Sequence, residues 1–190
     1  PFVGWAQPTE IDQPIRRMAI PNARWCMRGI LDSMFRSLDV NDMNIVWAIN
    51  QENVPAVGEE PLESLSEIGR SSELALGVVE SDVLVGFCFV LPPGVSYDSP
   101  NYRYFEDRYD DFAYLDRVAF RAAHQGRGLG SALYQEIESR LSRPLLALEV
   151  NVVPPNEGSM RFHLRNGFVE VEQKETRPGK VVSLMVKQLG

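Results

Sequence analysis

Six residues, Gln125-Gly126-Arg127-Gly128-Leu129-Gly130, stand between an apolar run, Phe112 to Phe120, and an amphipathic one, Ser131 to Leu141. Glycines on three alternate positions remove β-carbons where a strand hands over to a helix. The backbone there can bend tightly and turn several N–H groups outward. Such a helix start joins the positive end of the macrodipole to unpaired donors, so it binds an anion, above all a pyrophosphate, without a lysine or a metal.

The elements around the turn follow from periodicity and punctuation. Pro1 to Arg24 carries Pro8, Pro14 and Pro21 and no sustained period, so it reads as an extension, residues 1–24, with Trp5 as a candidate anchor; residues 25–190 form one domain. Gly29 to Leu38 suits a first strand. Asn41-Asp42 can cap a helix marked by Ile45, Ile49 and Glu52 that stops at Asn53-Val54-Pro55. Leu62, Leu65 and Ile68 suit a second helix after Pro61. Leu74 to Val79 and Val83 to Val90 flank Glu80-Ser81-Asp82 as an antiparallel hairpin. An aromatic, acidic insertion, Ser96 to Asp111, precedes the strand Phe112 to Phe120. After the turn comes a helix with Leu129, Leu133, Ile137 and Leu141 at fourfold spacing, then a buried strand, Leu145 to Val153. Asn156 caps a helix ending at Asn166-Gly167, and Phe168 to Val171 and Val181 to Val186 close the sheet across Arg177-Pro178-Gly179.

A chain of 190 residues with 44% hydrophobic and 24% charged residues can bury a proper core. The formal net charge of -7 argues against nucleic acid as the main partner and leaves room for a cationic substrate. Two cysteines, Cys26 and Cys88, make a disulfide framework improbable, and Cys88 lies in an apolar run where a buried thiol is expected. No apolar run reaches the length of a membrane span, and the expected location is the cytoplasm.

Taken with Asp116 to Phe120 upstream and with Asn156 and Phe162-His163-Leu164-Arg165-Asn166-Gly167-Phe168 downstream, the turn resembles the Gln/Arg-x-x-Gly-x-Gly/Ala signature of the GNAT acyltransferase superfamily. The resemblance implies a mixed α/β (α+β) fold, a central, mostly antiparallel sheet with two splayed strands flanked by helices. It implies acetyl-CoA, or CoA, lying in the splay, with the backbone of Val118, Ala119 and Phe120 bonded to pantetheine. Gln125, Gly126, Arg127, Gly128, Leu129, Gly130 and Ser131 would hold the pyrophosphate, and Asn156 would face the cofactor. Arg121 and Arg127 stand where further phosphate charge would fall, or are solvated loop residues. The implied activity is an acetyl-CoA-dependent N-acetyltransferase whose small-molecule or peptide amine acceptor attacks the thioester directly; no metal, nucleic acid or membrane is implied.

A carboxylate must take a proton from the attacking amine. Asp116 occupies a strand position where the family often carries a glutamate, although a salt bridge to Arg117 would also explain it. Glu149 sits in the apolar run Leu145 to Val150, where desolvation would raise its pKa. Where the family usually places a tyrosine that protonates the leaving thiolate, this chain has His163, two helical turns from Asn156; it is the acid, a hydrogen bonder, or a packed helix-face residue. His124 beside the turn is expected to be solvated. Asn53 and the insertion tyrosines Tyr97, Tyr102 and Tyr104 are candidate acceptor contacts, forming an amine cage, a homodimer surface or a self-packed loop. Two other classes stay open: a CoA-binding sensor without turnover, and a dinucleotide-dependent oxidoreductase, for which Gly126, Gly128 and Ser131 with Glu149 about 20 residues on make a near-match. Against the latter, an antiparallel hairpin precedes the turn.

Overall fold

A computed structural model describes residues 34–190. Trp5, Cys26, the extension at residues 1–24 and most of the expected first strand lie outside the described residues. Seven strands form one sheet in the order β1-β2-β3-β4-β5-β7-β6. They are β1 (Phe35–Ser37), β2 (Leu74–Glu80), β3 (Val83–Leu91), β4 (Ala113–Phe120), β5 (Leu145–Val153), β6 (Val169–Arg177) and β7 (Lys180–Gln188). All neighbours are antiparallel except β4 and β5. Helices α1 (Met43–Glu52), α2 (Leu62–Ser71) and α3 (Pro100–Glu106) precede β4, whereas α4 (Leu129–Arg140) and α5 (Glu157–Arg165) flank β5. Among the described residues no helix is long and apolar enough to cross a membrane.

Both faces of the sheet are covered, which explains why β3 reads as an unbroken apolar run. Its Phe87, Phe89 and Leu91 pack into one core with Val46, Ile49, Leu65, Tyr102 and Phe105, while Val85, Cys88 and Val90 pack into a second with Leu133, Tyr134, Ile137 and Phe168. The β2–β3 hairpin turns on Ser81 and Asp82, both at positive φ (50° and 63°), the geometry that suits the right-handed twist of the strands it joins.

Two local expectations are corrected. Asp39, not Asn41-Asp42, caps the start of the first helical segment, with Asp42 as the reciprocal half of a capping box. Asp42 is in addition held by Arg36 at 2.6 and 2.7 Å. The stripe that α1 buries is therefore Met43, Val46, Ile49 and Asn50, while Ile45 is 40% exposed. The aromatic, acidic insertion contains α3, capped by Ser99, and from it Tyr102 and Phe105 are fully buried.

Candidate active site

Strands β4 and β5 are paired only at Ala113–Leu146 and Tyr114–Ala147, and beyond these they splay. A cavity of ≈ 280 Å³ occupies the opening, lined by Asp116, Glu149, Tyr134, Asn156, His163 and Lys180 among others. The three residues expected to do chemistry, Glu149, Asp116 and His163, are thus brought to one cavity although they come from two strands and a helix.

A bulge aims one of the carboxylates. Along β3–β4 the register steps from Phe89–Arg117 to Val90–Leu115, so Asp116 is the unpaired extra residue. A bulge changes which residues share a face. Phe112 and Tyr114 belong to the core on the α1–α3 side before it, and Ala119 joins the same core after it. Asp116 and Arg117 consequently lie side by side, with Arg117 Nε 3.3 Å from Asp116 Oδ2. The terminal guanidinium nitrogens donate to Asn50, the Gly58 carbonyl and Glu60, at 2.9, 2.8 and 2.7 Å, which clamps the loop after α1 onto β4. The salt-bridge reading of Asp116 is therefore correct, and the residue lines the cavity as well.

Asp116 Oδ1 accepts from the Tyr97 hydroxyl at 2.7 Å, and Glu149 Oε2 from the Tyr114 hydroxyl at 2.5 Å. Burial raises the pKa of Asp116, against the pull of Arg117 and Tyr97. Burial pushes Glu149 up to about 7, and the neighbouring Asp116 charge pushes the same way, while Tyr114 and Asn101 oppose it. A carboxyl poised near neutrality suits a general base.

Of the three readings of His163, the geometry supports the hydrogen bonder. Its Nδ1 lies 2.8 Å from the Ser159 carbonyl, which can only accept, so Nδ1 carries the proton. Nε2 is then a lone pair, 2.6 Å from the Tyr134 hydroxyl that donates to it. Burial lowers the imidazole to about 4, so the ring is neutral near pH 7 with neither nitrogen free. Tyr134, a cavity residue on α4, is the group His163 holds in place.

The glycine turn leaves helix donors uncapped, and only two of its glycines are conformationally required. Gly126 and Gly128 have φ of 70° and 84°, and the space a β-carbon would fill is open at both. Gly130 lies inside the first turn of α4, where a β-carbon would meet the Phe162 ring at an ordinary 3.6 Å. Gly128 is the N-cap and supplies no side chain, so the first N–H groups of α4 have no side-chain cap. That suits a pyrophosphate. The flanking cations are engaged with carboxylates: Arg121 with Glu52 at 2.6 Å and Arg127 with Glu80 at 3.0 Å. His124 is not simply solvated, since it too approaches Glu80, at 3.3 Å. The Phe120 carbonyl is occupied by the Asn53 and Gln125 amides at 3.0 and 3.1 Å, and Ala119 faces β3 opposite Phe87, in phase with Arg121, whose N–H bonds the Val85 carbonyl, so of the expected backbone contacts Val118 is the one turned to the cavity. Asn156 lines the cavity while its side-chain oxygen caps α5 through the Ser159 N–H.

The expected acceptor residues divide. Asn53 and Tyr97 line the cavity. Tyr102 and Tyr104 do not: the Tyr102 hydroxyl donates to the Pro92 carbonyl at 2.8 Å, and the cation over the Tyr104 ring is the chain's own Arg108, at 3.8 Å. These aromatics pack on themselves. Tyr114, Tyr134 and Lys180 join the site without having been singled out. Tyr114 stands two positions before Asp116 on the strand, a spacing that signals a shared face; nothing in the local sequence marks the other two.

Residues 43–168, about two thirds of the chain, match the family model described as acetyltransferase (GNAT) family. Comparison with curated protein sequences found no match. Among solved structures, Ard1 from Thermoplasma volcanium is 17% identical, with a TM-score of 0.66 over 82% of this chain and 97% of that one. The ribosomal-protein-S18-alanine N-acetyltransferase of Escherichia coli is 18% identical, with a TM-score of 0.60 over 82% and 93%. The protein yncA from Salmonella typhimurium, solved with its cofactor acetyl-CoA, is 20% identical, with a TM-score of 0.60 over 82% and 93%. These likenesses establish a shared fold, the mixed, mostly antiparallel sheet with splayed strands. That sheet also removes the oxidoreductase reading, because the dinucleotide fold is a doubly wound parallel sheet and β4–β5 is the only parallel pair among the described residues.

Proposed function

The chain belongs to the GNAT acetyltransferase family, and from that premise we propose that it moves an acetyl group from acetyl-CoA to an amine by direct attack, with Glu149 as general base. Acetyl-CoA, the cosubstrate of that family, supplies the acyl group and a thiolate leaving group. Val118 is assigned to its pantetheine arm, and the turn from Gln125 to Ser131 with Asn156 to the rest. The uncapped N–H groups of α4 and the open space beside Gly126 and Gly128 support that fit.

The observation that carries the reading is Glu149, held by Tyr114 on the wall of the β4–β5 opening and raised to about 7 beside Asp116. A positioned base with a pKa near the working pH takes a proton from an ammonium or an attacking amine most effectively. Asp116 is assigned two effects, holding that pKa up and attracting a cationic acceptor. His163 is assigned to orienting Tyr134, with Nδ1 protonated and Nε2 accepting.

A second reading, CoA binding without turnover, is favoured by the same neutral, fully committed imidazole. Calorimetric titration of the purified protein with acetyl-CoA, CoA and NAD tests the ligand: CoA compounds are expected to bind, and NAD binding without CoA binding would overturn both readings. A panel of amines with free-thiol detection then separates enzyme from sensor. Thiol release that depends on an amine supports transfer; its absence with acetyl-CoA bound supports the sensor.

A further inference from the structure

Lys180 opens β7 and lines the cavity together with Asp116 and Glu149. Lys187 is paired with Glu138 at 2.5 Å, whereas Lys180 has no carboxylate partner among the described residues. It lies near enough to Glu149 to draw that carboxyl's pKa downward. Arg117, the other cation of the wall, spends its terminal nitrogens on Asn50, Gly58 and Glu60, and its Nε is turned toward Asp116 at 3.3 Å. Asp116 Oδ2 accepts no hydrogen bond among the described residues, with Arg117 Nε at 3.3 Å as its ion-pair partner, and its side chain is only 6% exposed.

The cavity therefore presents both signs of charge within ≈ 280 Å³. A plain amine answers the carboxylates but brings a second cation into a small space with Lys180. A ligand bearing an anion as well answers both ends, and a buried charge is tolerated when it is paired and hydrogen-bonded.

We propose that the acceptor is a small amine that also carries a carboxylate, an amino acid in the simplest case, with its nitrogen at Glu149 and Asp116 and its carboxylate at Lys180. The inference rests on the acyl-transfer reading of the same site. The nitrogen–carbon bond forms as the thioester carbon–sulfur bond breaks, the amine proton passes to Glu149, and the acceptor's carboxylate is unchanged. The products are an N-acyl amino acid and a free thiol, with the thiol's proton returned from solvent.

The test offers the full protein, with acetyl-CoA, each common amino acid beside its amide and a short peptide amide, reading free thiol. Melting temperature with CoA bound is a second readout. At least one amino acid is expected to exceed its amide in kcat/KM by about tenfold or more, the size of one charge-assisted contact, and to raise the melting temperature where the amide does not. Lys180→Met is expected to bring the acid-over-amide ratio below about twofold, and Lys180→Arg to retain it. Amides or peptide amides equal to or better than the acids in the unmodified protein would overturn the inference, as would a ratio unmoved in Lys180→Met. Absence of turnover with every amine, despite CoA binding, would remove the acyl-transfer reading itself and this one with it. A preference for amides removes this one alone.

Discussion

The two walls of the cavity hold their ionisable groups in opposite states. On the β4–β5 wall burial lifts Glu149 to about 7, while on the α4–α5 wall burial takes His163 down to about 4. The cause is shared, because desolvation disfavours the charged form, and that raises an acid and lowers a base. Their company differs. Glu149 has a like charge nearby in Asp116, which pushes it further, whereas His163 is hydrogen-bonded by the Tyr134 hydroxyl and by Ser159 and packed between the Phe162 and Phe168 rings. Near neutral pH the first wall is poised to exchange a proton and the second is a fixed hydrogen-bonded support.

Removing the base should break this contrast most severely. Glu149→Gln keeps the shape and an acceptor for Tyr114 but cannot take a proton, so kcat is expected to fall by about 10²-fold or more with acetyl-CoA affinity by calorimetry unchanged. A rate within a few-fold of the parent would move the base elsewhere. On the supporting wall the effect should appear in stability. His163→Leu leaves the buried Tyr134 hydroxyl without its acceptor, at a cost of about 1–3 kcal/mol in denaturant unfolding. Adding Tyr134→Phe should restore part of that loss; a double variant as unstable as the sum of the singles would show that the 2.6 Å contact is not what couples them.

Smaller effects sharpen the same comparison. Turnover should rise with pH along a limb centred near 7 as Glu149 ionises, and Asp116→Asn should move that limb to lower pH by removing the like charge. A limb that stays in place would assign it to another group. Stability should follow the two walls with opposite sign. Glu149 has a folded pKa above its ordinary 4.5, so the folded state binds more protons, and its favourable contribution at low pH is lost as pH rises from 4.5 through about 7. His163 has a folded pKa below its ordinary 6.5, so stability is lost as pH falls from 6.5 toward about 4. In melting scans Glu149→Gln should gain on the parent at pH 8 relative to pH 4. Equal curves at both pH values would mean that the carboxyl is not desolvated.

Much of the frame was legible because it depends on local chemistry. Pro55 and Pro61, the β2–β3 hairpin, and the Asn156 cap with Gly167 at positive φ each act within a few residues, and each appears close to where the pattern put it. Long-range partners were not legible. Ile45 looked like a core position, but the Asp39 capping box sets the phase of the helix and turns it outward. For Tyr102 and Tyr104 an amine cage, a dimer surface and a self-packed loop were equally readable, and burial in the core on the α1–α3 side selects the self-packed arrangement. Arg121 and Arg127 looked free for phosphate and have found Glu52 and Glu80, from elements far away in sequence.

By itself the sequence determined the strand-to-helix turn, its uncapped helix donors and the family that goes with it, because φ at Gly126 and Gly128 and the lack of a side-chain cap are properties of a few adjacent residues. It also marked Glu149 as a carboxylate among apolar neighbours. Only the tertiary structure decided what that carboxylate is next to. The splay of β4 from β5 opens the cavity, the bulge at Asp116 aims a second charge into it, and Tyr114, Tyr134 and Lys180 arrive from three separate elements. The physical reason is that pKa and ligand charge depend on distances in space, and neither a register shift nor a splay leaves a local trace in the residues that undergo it.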